Sequence, residues 1–343
     1  GSGRSNLAIA FATSLICPNN GCGKCTDCTT AKLGNHPDIE IFATEGISIK
    51  VDDIRELVAR GSWGASISPF RVVVVEDCDR MTESAANALL KSIEEPGSQT
   101  VWLLCAPSLD EVLPTIRSRC RLVSLRTPTT NEISNYLISE LNIDTKSANQ
   151  IAFISQGHIG RAKYFATNSQ ALQIRAKVLK LFTSIKTESD AIKAAAELLE
   201  LATTNSELRT QEVVQKEEEL LRMTIQGPNR AYLSGGSKAL KELEKSQKLR
   251  TTRTTRDEID SYLLYLQSLL RDAISLNQSK PDFIINLDLT IEISNLISNT
   301  SPAKLEELAL KINQYRFNLD SNAAQLLTLE SVTLEFLSST RGN

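Results

Sequence analysis

Four β-branched residues in a row, Val72-Val73-Val74-Val75, follow Phe70-Arg71 and run into Glu76-Asp77-Cys78-Asp79. Successive side chains of a strand point to opposite faces, so an unbroken valine run is apolar on both and needs cover on both. That requirement disfavours a half-solvated ribbon and favours a parallel sheet flanked by helices. The neighbouring segments supply the remaining parts. Asp38–Phe42 and Thr100–Ala106 read as further strands, and a last strand is expected around Arg121–Leu125. Leu7–Leu15, Val51–Arg60 and Thr82–Pro96 carry helical periodicity, the last with Thr82 as its N-cap and Pro96 as its stop. Strand and helix alternate, which specifies a doubly wound α/β domain with a mostly parallel sheet. The acids Glu76 and Asp77 then stand at the C-terminal end of a strand, where such sheets bind ligands.

Four of the seven cysteines crowd into Cys17-Pro-Asn-Asn-Gly-Cys22-Gly-Lys-Cys25-Thr-Asp-Cys28. Thiolates two residues apart reach a single tetrahedral ion from a turn, and Gly21 and Gly23 give the backbone the freedom to make one. Four sulfur ligands favour Zn²⁺ closed on every side, a structural rather than a catalytic site. A disulfide pair is disfavoured by a reducing compartment, and an iron–sulfur cluster lacks redox context. Cys78, Cys105 and Cys120 lie apart in or beside apolar runs and read as small buried hydrophobes. His36 and His158 stand alone, suited to a helix cap or a core position.

With 343 residues, 41% of them apolar, the chain has material for two or three domains. Its net charge of −3 argues against a globally basic nucleic-acid coat and leaves local patches open. It has no run of about 18 uncharged apolar residues and no basic-then-apolar leader, so a cytoplasmic location away from any membrane is expected. It opens on Gly1-Ser2-Gly3 rather than on methionine.

Gly1-Ser2-Gly3-Arg4-Ser5 leads into the first helix, and a glycine-rich turn opening a helix is the geometry that cradles phosphate. The P-loop pattern puts lysine where Arg4 stands and a Mg²⁺-binding hydroxyl at Ser5. Its first glycine and preceding strand would lie before residue 1.

These motifs, with the four-cysteine insert after the first helix, Gly34-Asn35-His36-Pro37-Asp38, Ile49–Arg60, the run ANALLKSIEEP from Ala86 to Pro96, and Ser118-Arg119-Cys120, closely resemble the delta prime family of bacterial DNA polymerase III clamp-loader subunits, in the AAA+ superfamily. The resemblance is strong over residues 1–125, moderate over the next 45 and weak beyond. It implies an AAA+ nucleotide-fold domain over 1–127 with a zinc module at 17–28, a small helical lid over 128–170 and an all-α collar over 171–343. It also implies a ring-shaped loader, built with gamma/tau and delta subunits, that places a sliding clamp on primed DNA. In such a loader this chain would be a largely non-hydrolysing stator. Arg119 matches the finger that projects into a neighbour's ATP site, where a permanently charged planar guanidinium stabilises charge on the γ-phosphate.

Departures from the ATPase pattern accompany that assignment. Arg4 replaces lysine, and Glu76-Asp77 reverses the order of Asp and Glu, leaving one carboxylate a carbon too long and the other too short for in-line geometry. Ser108 matches the polar sensor after the next strand. In Gly157-His158-Ile159-Gly160-Arg161, Gly160 occupies the position of the second-sensor arginine, and Arg161 is about 100° further round a helix. Gly1, Gly3, Arg4, Ser5, Glu76, Asp77 and Ser108 thus outline a degenerate site in which ATP and Mg²⁺ bind weakly or not at all.

Asn131–Leu141, Thr145–Ser155 and Ile159–Ala166 read as three short helices. Apolar stripes at Val178, Leu179, Phe182 and Ile185, and at Tyr262, Leu263, Leu266, Leu269 and Leu270, mark an all-α remainder. Gln226–Ser237 reads as a loop, and Lys238–Arg256 carries seven basic residues against two acidic ones, fitting a solvated helix start better than a binding face. On Ile49–Arg60, the cations Lys50, Arg55 and Arg60 could meet DNA phosphates. Two other readings compete: an active gamma/tau-type ATPase, and a zinc module that binds nucleic acid alone.

Overall fold

A computed structural model describes residues 3–225, 233–278, 284–321 and 323–341. The chain divides into two compact units, one running to Thr167 and the other starting at Asn168.

In the first unit α1 (Arg4–Ile16) and α2 (Thr26–Lys32) precede β1 (Ile39–Phe42), α3 (Val51–Gly61) and β2 (Arg71–Val75). A 3₁₀ turn at Cys78–Arg80, α4 (Glu83–Glu94), β3 (Thr100–Leu104) and the short α5 (Pro114–Arg117) follow. The strands form a parallel sheet in the order β1-β2-β3, with Ile39 opposite Val72 and Val72 opposite Val101.

Every residue of β2 is buried, and pleating sorts its valines between two cores. Val73 and Val75 pack with Ile54 and Leu57 of α3 and Ala85, Ala86 and Leu89 of α4. Val72 and Val74 pack on the other face with Ala12 and Ile16 of α1 and Ala31 of α2. Each fully buried valine contributes on the order of 1.5–3 kcal/mol, so the strand is a principal anchor of the unit. The hydroxyl of Thr82 accepts the Ala85 N–H at 3.2 Å and caps α4, as its sequence predicts.

Arg121–Leu125 does not form the expected strand: Leu122 and Val123 are 58% and 70% exposed. A strand there needs a partner, and β3, at the edge of the sheet, pairs only with β2 among the described residues. After it come α6 (Thr130–Leu141), α7 (Thr145–Ile154) and α8 (Ile159–Thr167), which pack on one another.

Among the described residues the second unit is built of helices: α9 (Ala171–Thr183), α10 (Glu188–Ile225), α11 (Leu233–Asn277), α12 (Thr290–Asn299), α13 (Pro302–Asp320) and α14 (Gln325–Thr340). The α10 helix packs on α11 and α14, and α11 on α9, α12 and α13. Both apolar stripes lie in its core, where Phe182 meets Phe336 at a ring separation of 5.8 Å. The wholly buried Asp272 carboxylate accepts the N–H groups of Ile285 and Asn286 at 3.0 and 2.6 Å, and Asn286 in turn bonds Arg175. Of the expected loop at Gln226–Ser237, residues 226–232 lie outside the described residues, and 233–237 already belong to α11. The basic segment 238–256 is helix interior rather than linker. Arg250 bonds Glu217 at 2.8 Å, Arg253 approaches Asp257 at 3.9 Å, and Arg256 donates to the Leu319 carbonyl at 2.7 Å. These three cations serve packing within the unit.

Among the described residues no helix is long and apolar enough to cross a membrane.

One buried carboxylate sets the approach to the central strand. Asp38, wholly buried, accepts the backbone N–H groups of Ser66, Ile67 and Ser68 at 2.6, 3.0 and 2.8 Å, fixing the loop between α3 and β2. Burial alone would raise its pKa, but those three donors outweigh it and hold the carboxyl below its ordinary value. A depressed folded-state pKa contributes stability above the unfolded pKa, near 4, and loses it as pH falls through the lower folded value. Asp38→Ala is expected to cost about 2 kcal/mol in denaturant unfolding at pH 7, with a smaller difference from wild type below about pH 3.

Candidate metal centre and nucleotide-site geometry

The four cysteines meet at the junction of two helices. Cys17 caps the C-terminus of α1, its N–H bonding the Thr13 carbonyl at 3.0 Å, and Cys25 caps the N-terminus of α2. Between them Asn20, Gly21 and Gly23 have φ of 53°, 82° and 75°, left-handed backbone in which the two glycines carry no Cβ penalty. All four sulfurs lie within 4.8 Å of one another, with Cys17–Cys25 at 3.6 Å, Cys17–Cys22 at 3.8 Å and Cys22–Cys28 at 4.0 Å. A tetrahedron with metal–sulfur bonds of about 2.3 Å has edges of about 3.8 Å, so these separations fit a four-thiolate metal ion such as zinc.

Backbone donors aim at the same sulfurs: the N–H groups of Asn19, Gly23 and Cys28 point at Cys17, Cys28 and Cys25 at 3.4, 3.3 and 3.5 Å. Such donors orient ligands and spread thiolate charge. Hydrogen bonding from the Cys22 backbone, with help from Asn19 and Gly21, lowers Cys17 to about 6. Desolvation pushes Cys28 up to about 12. The donor set closes on itself and leaves no open coordination position, which suits a structural ion.

Beside this centre the Gly34-Asn35-His36-Pro37-Asp38 motif has a mechanical explanation. Gly34, with φ of 74°, ends α2, and the N–H groups of Gly34 and Asn35 return to the carbonyls of Ala31 and Thr30, each at 3.0 Å. The buried His36 ring accepts the Asp38 N–H at Nδ1, at 3.1 Å, and faces Asp27 at 3.7 Å through Nε2.

At the opposite end of the strands, Gly3 takes φ of 85° as the N-cap of α1, and Arg4 is the helix's first residue, followed by Ser5. Gly1 lies outside the described residues. Glu76 leaves β2 with its N–H on the Phe42 carbonyl at 2.9 Å, and Asp77 follows in left-handed backbone, φ 51°. Cys105, after β3, feels the charges of Glu76, Arg4 and Asp77 together, with burial the largest influence raising its pKa. The fold therefore gathers Arg4, Glu76 and Asp77 around the strand ends. Ser108 is more exposed, and its hydroxyl accepts the Asp110 N–H at 3.1 Å, a local turn contact.

His158 caps α8, its Nδ1 accepting the Arg161 N–H at 3.1 Å. Burial, reinforced by nearby Arg161 and Arg4, lowers its pKa to about 4, so the ring stays neutral and able to accept. The preceding Gly157 has φ of 81°, and a Cβ there would lie 2.2 Å from the Thr127 methyl. Only glycine fits.

Arg119 follows α5 and is partly exposed. Its Nε donates to Glu94, the last residue of α4, and its Nη1 to the Thr115 carbonyl at 2.9 Å and the Ser118 hydroxyl at 3.2 Å. Sequence reasoning did not single out Glu94, although the signal was present in an acid at the negative end of a helix. Of the cations on α3, Arg60 is held by Glu40, at 2.6 Å, and by Glu56, and is therefore not free for phosphate; Arg55 pairs with Asp52 at 3.2 Å. Cys78 is buried as expected, whereas Cys120 is exposed.

Elemental analysis of the purified chain is expected to find about one tightly held metal ion per molecule, and Cys22→Ser to lose most of it. Full metal content in that variant would rule out the four-thiolate arrangement.

The family model described as DNA polymerase III, delta subunit, matches residues 1–129, and a second model, for the C-terminal part of the delta subunit of the same polymerase, matches 239–336. DNA polymerase III subunit delta prime of Bacillus subtilis is 31% identical over 185 residues, 53% of this chain and 56% of the relative. The Escherichia coli delta prime protein is 32% identical over 168 residues, 47% and 50% of the two chains. A gamma subunit from Buchnera aphidicola is 30% identical over 169 residues, 46% of this chain and 45% of its own. The chain spans about half the length of the curated relatives it matches. A solved gamma subunit-related protein from Thermotoga maritima covers 89% of this chain and 84% of its own at 20% identity, with a TM-score of 0.35, too low to carry weight. With delta-subunit models matching residues 1–129 and 239–336 and delta prime proteins of several bacteria aligned to it, the chain is delta prime-like in sequence over those stretches.

Proposed function

We propose that this chain is a largely non-hydrolysing stator of a bacterial clamp loader, working in the cytoplasm with gamma/tau and delta subunits to place a sliding clamp on primed DNA during replication. The observation that carries this reading is the delta prime kinship, joined to a guanidinium, Arg119, on an exposed corner of the first unit. In this reading residues 1–127 are the AAA+ domain, 128–170 its lid and 171–343 a collar that joins the ring.

Arg119 would enter the ATP site of an adjoining subunit. A guanidinium is charged at every physiological pH and presents paired N–H donors, so it can follow charge as it develops on the transferred phosphoryl group. The chain's own site would contribute little. Arg4 in place of lysine is wider and less mobile in a tight cradle, and the Glu76-Asp77 order misplaces both carboxylates. The Ser108 hydroxyl, engaged with Asp110, would need to turn to reach a phosphate. Zn²⁺ at Cys17, Cys22, Cys25 and Cys28 would fasten α1 to α2 and supply no catalysis.

Kinship with gamma and tau subunits, at 30–34% identity, favours one alternative, an active ATPase of that type. The two readings separate in a loader reconstituted from gamma/tau, delta, this chain, the clamp and primed DNA. Arg119→Ala is expected to slow hydrolysis at the adjoining site by about 10³-fold and to impair clamp loading, with the ring intact by gel filtration. An intact ring with undiminished hydrolysis would refute the finger, and ATP turnover by this chain alone would establish the alternative.

A further inference from the structure

Glu94 occupies a costly place. It closes α4, where the unpaired carbonyls of the last turn make the end negative, and Glu95 follows it directly before Pro96. Carboxylates there are disfavoured unless a cation answers them, and the cation that answers Glu94 is Arg119, 25 residues later.

The contacts of Arg119 divide its donors into two sets. Nε is taken by the Glu94 carboxylate, and Nη1 is shared by the Thr115 carbonyl and the Ser118 hydroxyl. Nη2, with two N–H groups, has no hydrogen bond among the described residues. Three anchors from α4, α5 and the residue after it thus fix the plane of the guanidinium and leave one nitrogen unengaged among the described residues. Both partners are partly exposed, 37% for the Arg119 side chain and 46% for that of Glu94. An ion pair so open to water adds little to stability, so its consequence is orientation rather than folding.

We propose that Glu94 is a positioning residue for Arg119: it holds the guanidinium by its Nε side so that Nη2 is presented, already oriented, to an anionic oxygen of a neighbouring subunit's nucleotide. This rests on the reading of Arg119 as a finger acting in trans. An arginine free to sample its rotamers would lose that entropy on every encounter, whereas a clamped one has already lost it, and misplacement by about 1 Å can cost a catalytic group about 10²-fold. Glu94 never touches the nucleotide. Its carboxylate also offsets part of the charge of Arg119, and the unengaged N–H pair keeps its directional donors.

The test is a double-mutant cycle in the reconstituted loader, with single-turnover ATP hydrolysis on clamp and primed DNA as the readout. Glu94→Ala is expected to lower the rate constant at the adjoining site about tenfold while leaving the KM for ATP within about twofold, because binding does not depend on the finger's orientation. Glu94→Gln, which keeps an acceptor oxygen of the same length, is expected to recover most of that loss. Adding Glu94→Ala to Arg119→Ala is expected to cause no further decrease, since the glutamate acts only through the arginine. Thermal unfolding of the isolated chain should show Glu94→Ala melting within about 2 °C of wild type. If Arg119→Ala is deleterious while Glu94→Ala is neutral or faster, the finger stands and the positioning role falls, a faster variant showing that Glu94 restrains the finger instead. If Glu94→Ala lowers the rate equally in the Arg119→Ala background, Glu94 acts by another route and the proposal is overturned. If Arg119→Ala itself has no effect, the finger reading fails and this proposal with it.

Discussion

Burial of one strand on both faces is the constraint from which the first unit follows. The four valines of β2 leave no face for water, so α1 and α2 must cover one side and α3 and α4 the other. That arrangement brings the N-terminus of α1 and the ends of β2 and β3 to one side of the unit. Arg4, Glu76 and Asp77 then all lie within electrostatic reach of Cys105. The gathering of these groups at the strand ends is thus a consequence of how valine is hidden. The cysteine module lies at the other end of α1, where a closed thiolate site can link α1 to α2 without intruding on the strand ends.

Polar groups in this molecule mostly hold backbone in place. Asp38 gathers three N–H groups of one loop, Asp272 does the same at Ile285 and Asn286, and His158 caps α8. Each is buried wholly or in part, and each is matched by donors placed by the surrounding fold, as buried polar atoms require. Arg60, Arg250 and Arg256 are similarly engaged. Those three arginines are therefore a misleading sign of a nucleic-acid surface, because the pairing that occupies them is contributed by residues 20 to 63 positions away.

Arg119 differs in kind. Its surroundings are open, and beside its anchors at Glu94, Thr115 and Ser118 it keeps one nitrogen without a hydrogen bond among the described residues. At the helix end that carries Glu94 and Glu95 side by side, the guanidinium of Arg119 answers the first of the two carboxylates.

Local chemistry was legible from the chain alone: the unbroken valine run named a parallel sheet, cysteine spacing named a tetrahedral donor set, and Thr82 and Pro96 bounded α4, because periodicity, spacing and capping are properties of neighbouring residues. The kinship, too, could be recognised from motifs in order. What tertiary structure decided was pairing. Whether Arg121–Leu125 becomes a strand depends on an adjacent edge, whether Lys238–Arg256 is free depends on α10 and α13, and whether Arg119 is oriented depends on Glu94. No local pattern encodes those contacts, since each joins residues far apart in sequence and close only after the apolar faces have been buried.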